Sequence, residues 1–239
     1  MVLLIVGIIA ALFLFEYYFR KVIKEKGDKI FYLEMLLAAA ILLGLIGAYV
    51  VQNLYDLIAD PAHYAWQWKS TFFGGAIFGV GGFVLLYFIF VRKKYPEGLG
   101  KIFVIAPAAI ALAHGFGRIG CFLEGCCYGI ESDAWYAMYF PSLDKTVIPT
   151  QLFEAIFLFV LAATLILIAF KKQSLLTIPV YAIGYGVWRF LIEFLRDDDR
   201  GSFLPGLSPS QFWALLLALA GIGFLVYLLI RKRKAAQAQ

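Results

Sequence analysis

Arg189 and Glu193 stand four residues apart in Tyr185-Gly186-Val187-Trp188-Arg189-Phe190-Leu191-Ile192-Glu193, an otherwise apolar stretch, so on a helix both lie on one face. Arg118 lies four residues after His114 in a second apolar run, and Glu154 follows Pro149-Thr150-Gln151 in a third. A guanidinium offers two parallel N–H donors that match a phosphate or carboxylate in a way a lysine does not. Two such groups with carboxylates nearby suit an anionic ligand, although Arg189 and Glu193 could also only neutralise each other. His114 is either a general base or a histidine hydrogen-bonded to a backbone carbonyl, and Glu124 is a second candidate base. His63, between Asp60 and Tyr64, reads as a loop residue facing solvent.

Three cysteines fall within seven positions, Cys121, Cys126 and Cys127. In an oxidising compartment Cys121 could pair with either later cysteine, the vicinal pair being awkward to bridge. A reactive thiol carrying a lipid or acyl group is a second reading. A metal site is suited by ligand type, but the spacing matches no standard zinc pattern, so neither a metal nor another cofactor is expected.

The elements that position these groups belong in a membrane. Of the 239 residues, 63% are hydrophobic and 15% charged, against about 45–50% and 25% in soluble domains. Seven apolar runs of about twenty residues span roughly 2–19, 31–56, 70–91, 102–122, 148–170, 175–195 and 208–230. The expected fold is an all-α polytopic bundle of seven transmembrane helices forming one domain over residues 1–239. The first run has no basic n-region and no following cleavage site, and so reads as a retained helix. Gly44, Gly47, Ala48, Gly74, Gly75, Gly79, Gly81 and Gly82 put small residues where the second and third helices can approach closely.

Charge sets the expected orientation. One set of connections holds Arg20, Lys21, Lys24, Lys26 and Lys29, then Arg92, Lys93, Lys94 and Lys101, then Lys171 and Lys172, then Arg231, Lys232, Arg233 and Lys234. The opposite connections hold only Lys69, Lys145, Arg196 and Arg200. The positive-inside rule then places the N-terminus outside and the C-terminus inside, with residues 123–147 and 196–207 on the outer face together with the cysteines and Asp197, Asp198 and Asp199. The net charge of +5 is accordingly a topology signal and no nucleic-acid footprint. Arg118 and Arg189 fall inside spans, where a charge costs about 2.5–3.5 kcal/mol on insertion scales and so marks a functional site, such as one for an anionic lipid headgroup.

Gly-x-Gly-Arg-x-Gly-x-Phe-x-x-Gly at 115–125 with Gly129 beyond it, Pro149-Thr150-Gln151-Leu152-Phe153-Glu154, and Tyr185-Gly186-x-x-Arg189-x-x-x-Glu193-x-x-Arg196 occur in this order over most of the chain. Together with the seven spans, they resemble the prolipoprotein diacylglyceryl transferases. The resemblance implies a multi-pass enzyme of the bacterial cytoplasmic (inner) membrane, moving diacylglycerol from phosphatidylglycerol to the lipobox cysteine of an exported prolipoprotein. Arg118 and Arg189 would hold the lipid phosphate, Glu193 would orient Arg189, Gly129 would keep its loop close to the headgroup, and Gln151, Gly74 and Gly75 would belong to the substrate site. Thiol alkylation further needs a base, for which His114 and Glu124 are the candidates.

The chain departs from that family pattern in several places. Phe73 occupies the histidine position of the usual Ser-Phe-His-Gly-Gly, here Thr71-Phe72-Phe73-Gly74-Gly75. Cys121, Glu124 and Cys126 replace the Asn, Asn and Glu that usually follow the arginine, and Leu45 and Ile46 fill the interval where another arginine is usual. These changes leave two alternatives to the transferase: a related lipid transferase with another acceptor, and a membrane thiol-redox or lipid-binding protein on the same scaffold.

Overall fold

The computed structural model describes residues 2–25, 28–68, 72–197 and 207–237. Its helices are α1 (Val2–Tyr17), α2 (Asp28–Ala59), α3 (Phe72–Leu86), α4 (Gly98–Leu123), α5 (Thr150–Lys172), α6 (Thr177–Ile192) and α7 (Pro209–Gln237), with π-helical turns at Tyr18–Ile23 and Tyr87–Val91. Among the described residues, six helical segments are long and apolar enough to cross a membrane, while the third expected span is a shorter apolar helix ending in the π turn. The chain is therefore a helical, multi-pass membrane protein. Between α4 and α5 lies an element absent from the sequence reading, the antiparallel hairpin β1 (Met138–Phe140) and β2 (Lys145–Val147), in register Met138 to Val147 and Phe140 to Lys145.

The helices group into two compact units. The first joins Met1–Tyr18 to Gly100–Gln239. Its core is the inner face of α5, with Leu158, Leu161, Ala162 and Leu165 buried, together with Ala108 and Ala111 of α4. Small residues set the close helix approaches, as in membrane interfaces generally. A Cβ on Gly7 of α1 would stand 2.8 Å from the Ala113 carbonyl oxygen of α4. One on Gly186 of α6 would stand 2.7 Å from the Ala214 carbonyl oxygen of α7. Between α5 and α6, Phe157 stacks on Trp188 with ring centroids 4.4 Å apart. Large apolar side chains such as Ile9, Phe13, Val160, Leu167 and Val226 point outward, the arrangement expected of helices whose solvent is lipid.

The second unit, Phe19–Leu99, is built on the α2–α3 pair. Gly44 faces Gly75 and Gly79 across the seam, and Gly74 meets the Gly47 carbonyl. Gly44, Gly47, Gly74, Gly75, Gly79 and Gly82 thus pack at close approaches as expected, whereas Gly81 has open space around it. After α2, Asn53 ties the following loop back by donating to the Gln67 carbonyl (2.9 Å) and accepting from its N–H (2.9 Å). His63 is exposed on that loop and pairs with Asp60 at 3.1 Å, as the sequence suggested. Lys26, Lys69, Asp198, Asp199 and Arg200 lie outside the described residues, as does the side chain of Phe73.

Candidate functional site

The C-terminus of α4 organises one edge of the site. Gly125 adopts φ +67°, its N–H bonds the Phe122 carbonyl at 3.1 Å, and the Cys126 N–H bonds the Cys121 carbonyl at 3.1 Å. That pair of bonds around a left-handed glycine is a Schellman termination, which brings the residue after the glycine onto the one five positions earlier. Here those residues are Cys126 and Cys121. Cys127 is itself left-handed, φ +63°, a conformation that costs a non-glycine residue about 1–3 kcal/mol and persists only when its surroundings hold it.

The first turn of α5 does the holding. Gln151 Nε2 donates to the Cys126 carbonyl at 2.6 Å and Thr150 Oγ1 to the Cys127 carbonyl at 3.0 Å, and neither residue is exposed. The three sulfurs lie within 4.8 Å of one another as free thiols, so the disulfide offered as one sequence reading is not formed. The hydrogen bond from the Cys121 thiol, and beside it the Arg196 guanidinium, hold the Cys127 thiol well below the ordinary cysteine range, outweighing burial. Burial pushes the Cys126 thiol up.

One helical turn inward, α4, α5 and α6 converge on a single carboxylate. Glu154 is fully buried; its Oε2 lies 3.0 Å from Arg118 Nε and 4.0 Å from Arg189 Nη1, and its Oε1 accepts from the Tyr185 hydroxyl at 3.0 Å. Arg189 also pairs with Glu193 at 2.7 Å, as expected for an i,i+4 pair, and donates to Ser210 Oγ at 3.0 Å. Arg196 Nε stands 3.7 Å from the same Glu193 oxygen.

The N-terminus of α7 closes this arrangement. Ser208 caps the helix by accepting from the Gln211 N–H (3.2 Å), while Gln211 Oε1 accepts from the Ser208 N–H (3.1 Å). This reciprocal pair, with Pro209 in the first helical position, is a capping box. The Ser208 hydroxyl then donates to Glu193 Oε1 at 2.8 Å. Three guanidiniums and two carboxylates therefore form one chain of contacts.

Sequence reasoning located Arg118, Arg189 and Glu193 and their convergence. It named Glu154 without assigning it the central position, and it used Arg196 only as a motif residue and as a basic residue of the outer connections. No periodicity in the chain announces that residues on α4, α5 and α6 meet at one carboxylate, although the Ser-Pro-x-Gln start of α7 is a readable helix signal. His114 borders the cluster, its ring edge-on to Tyr185 with centroids 5.2 Å apart. Glu124 is exposed beyond the end of α4. Gln151 and Gly129 have structural duties here: Gln151 anchors the cysteine loop, and a Cβ on Gly129 would collide with the Leu195 carbonyl oxygen and stand 2.9 Å from that of Ile148. Gly129 lies backbone to backbone with Arg196 in an antiparallel bridge, so its closeness serves the arginine's segment.

The sequence matches the model of the prolipoprotein diacylglyceryl transferase family over residues 1–227. It is 33% identical over 225 residues to a phosphatidylglycerol–prolipoprotein diacylglyceryl transferase of Clostridium tetani, an alignment covering 90% of this chain and 87% of that one. It is 34% identical over 202 residues to an enzyme of Clostridium perfringens named as the second such transferase, covering 82% and 77% of the two chains. With the enzyme of that name from Bordetella avium the identity is 31% over 222 residues, covering 90% and 80%. A match of this extent, over the helices that carry the arginine and carboxylate cluster, means that this chain belongs to the prolipoprotein diacylglyceryl transferase family.

Proposed function

We propose that this protein transfers diacylglycerol from phosphatidylglycerol to the lipobox cysteine thiol of an exported prolipoprotein, in the cytoplasmic membrane of a bacterium. The observation that carries the reading is the convergence of two guanidiniums, Arg118 and Arg189, on the fully buried Glu154, with Arg189 only 7% exposed. A charge carried on a membrane-spanning helix is expensive and marks a functional site, and two guanidiniums held side by side present N–H donors that match a phosphodiester. A phosphodiester headgroup supplies one negative charge at the depth where lipid and protein meet.

In the reaction, the acceptor thiolate attacks the glycerol carbon bearing the phosphate ester, a C–S bond forms, the C–O bond breaks, and glycerol phosphate departs with the electron pair. Charge builds on the departing phosphate, where Arg118 and Arg189 would stabilise it. Glu154 and Glu193 hold the two guanidiniums in place, and Tyr185 fixes the far oxygen of Glu154. His114, bordering the cluster, takes the thiol proton; Glu124 is the alternative acceptor. The bias of basic residues between successive connections supports an outside N-terminus and an inside C-terminus, with seven crossings and the cysteine loop facing the exported substrate.

Incubating the purified protein with phosphatidylglycerol labelled in its acyl chains and a lipobox peptide tests the proposal directly. The expected result is label on the peptide cysteine with one glycerol phosphate released per transfer. A folded protein that consumes no phosphatidylglycerol, yet exchanges disulfides through its three thiols, would instead establish the thiol-redox alternative.

A further inference from the structure

We propose that Cys121, Cys126 and Cys127 form a site for one thiophilic divalent cation of the zinc class, bound through three thiolates and completed by solvent. The spacing of the three in the chain belongs to no standard zinc pattern, yet the fold assembles what the spacing does not advertise. The Schellman turn at Gly125 folds Cys126 back onto Cys121, and the left-handed Cys127 turns the third thiol to the same point, leaving all three sulfurs within 4.8 Å of one another. An ion about 2.3 Å from each sulfur draws them to about 4 Å, a closure that side-chain rotation covers.

The scaffold beneath the thiols is already fixed. The carbonyls of Cys126 and Cys127 are both engaged by buried side chains of α5, Gln151 and Thr150. Such support of ligand-bearing backbone is what metal sites require of their surroundings. Charge also balances. Three thiolates and a divalent cation carry one net negative charge, and the Arg196 guanidinium, its side chain 2% exposed, lies against the Cys127 sulfur. The site shares only Arg196 with the arginine–carboxylate cluster, and it stands whether or not the chain transfers diacylglycerol.

The test uses the full-length protein in detergent, kept reduced and titrated with Cd(II), whose thiolate charge-transfer absorption reports the number of bound sulfurs. Saturation at one ion per chain is expected, with Zn(II) displacing the signal and slowing alkylation of the three thiols. Cys121→Ser and Cys127→Ser should each weaken binding by at least about tenfold and lower the absorption per ion. A folded, reduced parent protein that shows no saturable absorption, or single serine variants that bind like the parent, overturns the site. Should the serine variants fail to fold, parent-protein alkylation decides, because thiols that react equally fast with and without Zn(II) also overturn it.

Discussion

Arg118 and Arg189 share Glu154 through different geometries, Nε of the first at 3.0 Å and Nη1 of the second at 4.0 Å, which leaves other N–H edges of both guanidiniums to meet a ligand. A lysine in either place keeps the charge and loses the planar fork. Arg118→Lys and Arg189→Lys should each lower kcat/KM for phosphatidylglycerol by at least about tenfold, since losing one well-placed donor to a developing charge costs about 10²–10³ in other enzymes. Parent-like turnover in both variants would remove the headgroup role. Glu154→Gln acts differently, because it strips the shared carboxylate from two arginines at a position with no solvent exposure. Breaking a buried pair in this way costs about 3–5 kcal/mol, so its thermal unfolding temperature should fall sharply where that of Glu193→Gln, whose side chain is 9% exposed and not fully buried, falls less. His114→Ala should reduce kcat by about 10²–10⁴ if the imidazole is the base. An unchanged rate moves that role to Glu124 or solvent.

The elements that carry these residues were read from the sequence with unequal success, for physical reasons. Long apolar runs fix α4, α5 and α6 to within a few residues, because a run of about twenty has few alternatives in lipid. The end of α7 runs on to Gln237, past the apolar run, because Arg231, Lys232, Arg233, Lys234, Ala235 and Ala236 are strong helix formers. The β1–β2 hairpin escaped notice since each strand has only three residues, too short for alternation to register. The turn that places the cysteines was in principle legible, with Gly125 two residues after the last residue of α4, but its consequence depends on which residue returns to which. Gly125→Ala tests that turn. The substitution puts a Cβ on a left-handed residue, at about 1–2 kcal/mol, and sets it 2.9 Å from Ser142 Oγ. The variant should unfold at a lower temperature and alkylate faster at Cys126, while Gly100→Ala, with open space around it on α4, should do neither.

At the scale of the whole molecule, the directional information lies in where the basic residues fall. The clusters following α1 and α3 and those at the ends of α5 and α7 are rich in Lys and Arg, whereas the opposite connections hold only Lys69, Lys145, Arg196 and Arg200. Translocating a cluster of cations is harder than translocating one, so the proposed orientation keeps the rich side in the cytoplasm. The consequence is checkable because two exposed lysines, Lys93 and Lys145, sample the two sets of connections, and a difference in their reactivity reports side of the membrane and not burial. In intact cells, a membrane-impermeant thiol reagent should label Lys145→Cys above the background of the half-buried native cysteines and leave Lys93→Cys at that background until the membrane is opened. The reverse pattern would invert the orientation and put the cysteine loop and the arginine cluster on the cytoplasmic side, where no exported thiol could reach them; equal labelling of both in sealed cells would contradict the crossing of α4 between them. Because Lys145 pairs with Glu131 at 3.1 Å on the surface, its replacement removes only a solvent-screened ion pair of little weight for stability, and the hairpin should keep its register while it is being labelled.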